Sequence, residues 1–118
     1  MLEVKLEALW RDLVDDRIYP DTAPDVPAYP LMLYQQVGGR DGWYVEGAMP
    51  SHRHARIQLY VWAKTRAEAN TLALQAEQRL AESGLIAQPY GAFTALYEDD
   101  LKLYGTRQDF GIWNDDSQ

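Results

Sequence analysis

One short stretch constrains this chain more than any other. From Ala55 to Ala63 the residues alternate: Ala55, Ile57, Leu59, Val61 and Ala63 fall on one side of an extended strand, and Arg56, Gln58, Tyr60 and Trp62 on the other. Thr65-Arg66-Ala67-Glu68 follows at once with the form of a capping box, in which the threonine oxygen and the glutamate each satisfy an orphan backbone N–H. The helix it opens carries Ala69, Leu72, Ala73, Ala76 and Leu80 on one stripe and stops near Ser83-Gly84, where glycine accepts the left-handed conformation. Alanines dominate that stripe, so this helix is able to sit close to whatever it covers. A strand with one aliphatic face, running directly into such a helix, calls for a sheet with helices on one side.

The rest of the chain fills in that frame. Leu2, Leu6, Leu9, Trp10 and Leu13 recur at spacings of three and four and predict an N-terminal helix that ends before Asp15-Asp16, since paired carboxylates oppose the dipole at a helix C-terminus. Prolines at 20, 24, 27 and 30 mark an extended connector, with a very short strand at Ile18-Tyr19 before it. Leu31 to Val37 predicts a strand that ends at Gly38-Gly39, and the following dozen residues, with Gly42, Gly47 and Pro50, read as a long loop or loose hairpin. Two further strands, about Phe93 to Glu98 and Leu103 to Trp113, are joined by Asp99-Asp100-Leu101-Lys102, short enough for an antiparallel hairpin. Tyr104, Thr106, Gln108, Phe110 and Ile112 share one face of the last strand, and the polar residues after it fray. The expected architecture is α+β: a mainly antiparallel sheet of about four strands with two helices packed on one face. At 118 residues the chain has room for one domain, ordered over about 2–114, with a short polar tail after it.

Two helices cover one face of such a sheet and leave the other free. The free face holds Tyr60 and Trp62 interleaved with Arg56, Gln58 and Gln36, and the neighbouring loop carries Trp43 and Tyr44, although a loop tip gains little from two large aromatics. Rigid rings among polar groups are the chemistry of protein interfaces, so Trp43, Tyr44, Arg56, Tyr60 and Trp62 are the candidate interface residues.

Catalytic chemistry finds little footing. With no cysteine, disulfide scaffolds, zinc ribbons and thiol nucleophiles are excluded. Ser51-His52-Arg53-His54 is the one cluster resembling a metal or catalytic site, with His52 and His54 on the same side of a strand. It lacks a distinctive third ligand, and Ser51 and His52 would point to opposite faces, so it reads as a polar strand entry. Asp15-Asp16, Asp99-Asp100 and Asp115-Asp116 each sit at the end of an element as solvated turn residues, without the spacing of a calcium loop. Gly38-Gly39 lacks the context of a phosphate cradle, and the PxxP spacings at 24–27 and 27–30 read as rigid connection. No catalytic residue, cofactor or metal site is expected. The longest apolar run, Leu31-Met32-Leu33-Tyr34, is far too short to span a bilayer, and Met1 to Glu7 has no signal-peptide core, so the expected setting is cytoplasmic. A net charge of −7 argues against gripping nucleic acid and favours protein partners.

Three blocks in order resemble a known family. Arg17-Ile18-Tyr19-Pro20-Asp21-Thr22-Ala23-Pro24, leading to Tyr29-Pro30-Leu31-Met32-Leu33-Tyr34-Gln35, looks like the opening of small prophage tail-completion proteins, grouped with the tail terminators of long, non-contractile-tailed phages. Arg56 to Thr65, followed by Glu68-Ala69, is similar to that family's central strand running into its second helix. Tyr97-Glu98-Asp99-Asp100, Leu103-Tyr104 and Asp109-Phe110-Gly111-Ile112-Trp113 look like its closing hairpin. The resemblance spans about Leu6 to Asn114 and departs at Gly105 and Gly111, where larger residues are usual, which bears on the register of the last strand. It implies an antiparallel sheet with two helices and a structural, non-enzymatic role. Such a protein forms a homo-oligomeric ring, commonly a hexamer, that caps the tail tube, stops its polymerisation and joins the tail to the head connector. It assembles in the host cytoplasm and resides at the head-proximal end of the virion tail. No family site residue carries over.

If DNA passes through such a ring, acidic subunits would repel its phosphates and let it slide, with Asp15, Asp16, Asp99 and Asp100 as candidate lining groups. The competing reading is a small-ligand regulatory domain with an open antiparallel sheet. A glycine-rich strand-to-helix turn would favour it, and that junction here is Lys64-Thr65-Arg66.

Overall fold

The computed structural model of the chain describes residues 1–40 and 52–115. Helix α1 (Leu2–Trp10) continues as a 3-10 turn over Arg11–Val14. Leu2, Leu6, Trp10 and Val14 are buried, with Leu9 and Leu13 partly covered at the edge of the core. Asp15 and Asp16 follow with positive φ, 51° and 64°, so the acidic pair lies beyond the helix as expected and reverses the chain.

Helix α2 (Arg66–Ala81) begins with the threonine half of the capping box: the Glu68 N–H donates to Thr65 Oγ1 at 3.1 Å, and the return bond from the Thr65 N–H to the Glu68 carboxylate is not made among the described residues. It buries Ala69, Leu72, Ala73, Ala76 and Leu80, the stripe read from the sequence. The two helices meet where the Trp10 indole N–H donates to the Ala76 carbonyl at 3.1 Å. Arg79 reinforces the contact by donating to the Leu9 carbonyl and pairing with Asp12, whose carboxyl it holds below the ordinary value.

The sheet has six strands rather than four. They are β1 (Ile18–Pro20), β2 (Leu31–Arg40), β3 (His52–Ala63), β4 (Ile86–Pro89), β5 (Thr94–Glu98) and β6 (Leu103–Asp115). The order is β1-β2-β3-β6-β4, with β5 also paired to β6. All pairings are antiparallel except β1 with β2, so the sheet is mixed and mostly antiparallel. The proline-rich connector, residues 21–30, makes the crossover that a parallel pair needs. β4 was not anticipated, and the last strand runs two residues past Trp113.

Gly38-Gly39 does not end β2. The strand continues to Arg40 through a register shift between Gln36 and Gly39. Gly39 has φ +150° and lies so close to β3 that a Cβ there would fall 2.0 Å from the His54 carbonyl oxygen. The loop or hairpin expected next falls on residues 41–51, outside the described residues.

The core lies between the helices and one face of the sheet. Ala55, Ile57, Leu59 and Val61 of β3, Phe110 and Ile112 of β6, Met32 and Tyr34 of β2 and Ile18 of β1 join Leu6, Trp10, Leu72, Ala76 and Leu80 in one cluster. Thr106 and Gln108 are buried on the same side; the Gln108 amide donates to Glu77 at 2.6 Å and to the Gly91 carbonyl at 3.0 Å. The fold is α+β, and no helix of the described residues is long and apolar enough to cross a membrane.

Candidate interaction face

The alternation of β3 dictates what lies opposite the helices. Arg56, Gln58, Tyr60 and Trp62 point that way, and the cross-strand register sets Gly111, Asp109, Arg107 and Gly105 beside them on β6. Leu31 and Leu33 extend this face across β2, Leu96 and Thr94 across β5, and Gln88 and Ile86 across β4. No helix of the described residues lies on it.

A chain of polar and aromatic contacts runs along its middle. The Tyr60 hydroxyl donates to Gln58 Oε1 at 3.0 Å, and the Gln58 amide donates to Asp109 Oδ1 at 3.1 Å. Arg56 Nε donates to Asp109 Oδ2 at 2.8 Å, and its guanidinium lies 4.6 Å from the centre of the Tyr90 ring. The Tyr90 hydroxyl is 3.1 Å from His54 Nε2, and the His54 ring meets Trp113 edge-on at 4.9 Å. These side chains hold one another in place, which lowers the entropy cost of using them as a contact surface.

Two glycines make room for the rings. A Cβ at Gly105 would lie 2.6 Å from the Trp62 indole, and one at Gly111 would lie 2.5 Å from the Tyr90 hydroxyl and 2.7 Å from His54. The departures noted at Gly105 and Gly111 are therefore notches that seat Trp62 and Tyr90 against the sheet. They do not disturb the register, which pairs β3 with β6 without a shift from His52 to Ala63.

Among the described residues, an apolar and a polar cleft open on this face. The apolar one of about 220 Å³ lies over Leu31, Leu33, Trp62 and Leu103, bordered by Ala23 and Tyr29 of the connector. The polar one of about 160 Å³ is lined by Arg56, Gln58, Tyr90, Thr94, Arg107 and Asp109.

Of the candidate interface residues, Arg56, Tyr60 and Trp62 share this face; Trp43 and Tyr44 lie outside the described residues, and Gln36, expected here, pairs with Ile57 on the other side while Gln35 stands opposite Gln58. Tyr90, Arg107, Asp109 and Trp113 were not singled out. Three of them were within reach, because odd-numbered residues of β6 must oppose the buried even-numbered ones. Tyr90 follows β4 and reaches over β6, and nothing local in the sequence indicates it. His54 is buried among Tyr90 and Trp113, and its Nδ1 has no hydrogen-bond partner among the described residues. No group of three or more His, Asp or Glu able to hold a metal occurs among the described residues.

The model of the tail completion protein gp17 family matches residues 5–115. The chain belongs to this family. Its members are components of the phage tail, structural and generally non-enzymatic, and membership implies tail-associated phage partners. No curated protein matches the chain. The tail completion family thus accounts for nearly the whole chain, including the three blocks that resemble it.

Proposed function

We propose that this tail completion protein forms a homo-oligomeric ring, of six copies as is common for such proteins, on the end of the tail tube. The ring ends tube polymerisation and offers its other side to the head connector. The role is structural, without catalysis, cofactor or metal. Assembly takes place in the host cytoplasm, and the protein resides at the head-proximal end of the virion tail.

The observation that carries this reading is the helix-free face, where Trp62 and Tyr90 are seated in glycine notches beside Arg56 and Tyr60. Preset aromatic and arginine side chains of this kind suit a protein interface, and we assign Arg56, Tyr60 and Trp62 to it. The net charge of −7 fits a ring that DNA traverses without sticking.

Electron microscopy of this chain mixed with the tail tube protein of the same phage tests the reading. Rings of uniform size at tube ends are expected; unassembled monomers alongside bare tube ends would overturn it.

A further inference from the structure

We propose that the polar cleft of the helix-free face is the socket for the Asp99-Asp100-Leu101 turn of a second copy of this chain, joining copies head to tail. The proposal rests on the ring reading above and names the contact that would build the ring.

The socket concentrates positive charge in an acidic molecule. Arg56 is shared with Asp109, but Arg107 is exposed and makes no ion pair among the described residues. Gln58, Thr94 and Tyr90 surround the two guanidinium groups with further hydrogen-bonding side chains. A planar guanidinium flanked by donors suits a carboxylate.

The turn carries the complementary chemistry. Glu98, Asp99 and Asp100 are consecutive, and Lys102 compensates only Asp99, at 3.1 Å. Asp100 makes no ion pair among the described residues, and Leu101 beside it is 65% exposed. Docking would give Asp100 a cationic partner and Leu101 an aromatic neighbour in Tyr90. Asp15-Asp16 is a weaker candidate, since Asp15 already lies 3.9 Å from Arg17 and none of the large exposed apolar side chains adjoins that pair.

A copy cannot fill its own socket. The turn is fixed to β6 by the pairing of Glu98 with Leu103, and Arg107 lies about 13 Å further along the strand at an ordinary rise per residue. Socket and turn are therefore separate patches, the turn's Glu98 and Leu101 bordering the apolar cleft of the same face, and a contact between separate patches closes into a ring when its rotation permits. Asp99 and Asp100 then belong to the contact between copies, and Asp15 and Asp16 remain the paired carboxylates available to a lumen.

Charge reversal and charge exchange test the pairing. Arg107→Glu and Asp100→Arg should each lower the yield of rings on tail tubes about tenfold. The double variant, with the charges exchanged, should recover most of the wild-type yield. Ring yield is read by electron microscopy, and thermal melting of each variant checks that the monomer stays folded. Rings undiminished in both folded single variants, or no recovery in a folded exchange variant, would overturn the docking and leave the ring reading standing. Wild-type protein that forms no rings on tubes would remove both.

Discussion

Gly105 concentrates the argument at the scale of single residues. It needs no special backbone conformation; it is small because the Trp62 indole occupies the space above it. Gly105→Ala should lift that ring off the sheet, cost about 1–3 kcal/mol as a small overpacking, and shift tryptophan emission to the red. Urea unfolding followed by fluorescence measures both effects, and an unchanged spectrum would contradict the notch. Tyr34 gives a second test. Burial, followed by the hydrogen bond its hydroxyl donates to Glu7, raises its pKa above the ordinary 10.0. A group that holds its proton more tightly when folded stabilises fully below its unfolded pKa and loses that contribution as pH rises. Stability should therefore fall above about pH 10, and Tyr34→Phe should flatten this part of the profile in denaturant titrations. Arg56, Tyr60 and Trp62 were legible because alternation on one strand fixes their side. Tyr90 was not, because its position over Gly111 comes from a fold-back between β4 and β5.

Among the elements, α2 was the most legible: its cap, its stripe and its end are all local signals. The short strand β4 was not. It is four residues long, too short to show a period, and exists because the longer β6 pairs with it, whereas β1, shorter still, was marked by the proline after Ile18-Tyr19. β2 outran its expected end because glycine can mark a bulge and a close backbone approach as well as a stop. The alanines of α2 set how near the helix lies to α1 and the sheet. Ala76 is fully buried, and its carbonyl accepts the Trp10 indole N–H. Ala76→Leu should push the helices apart and destabilise by about 1–3 kcal/mol, whereas Leu74→Ala on the exposed side should stay within about 0.5 kcal/mol. Chemical denaturation of the two variants measures the contrast, and equal effects would contradict the packing.

At the scale of the whole molecule, the two helices and six-stranded sheet of the described residues leave one broad face without a helical layer, and family membership places the chain in a phage tail. Subunits of net charge −7 repel one another, so assembly depends on local complementarity strong enough to offset that repulsion. Aromatic anchors and the two arginines of the helix-free face offer it. The function itself was legible only through the three blocks in order, because an interface has no fixed spacing comparable to a metal motif. The central claim, that this protein ends tail tubes, is tested most directly by tube length. Tail tube protein polymerised with increasing amounts of this chain should give progressively shorter tubes, each carrying a cap at one end. A length distribution that does not change with the amount of this chain would contradict the account.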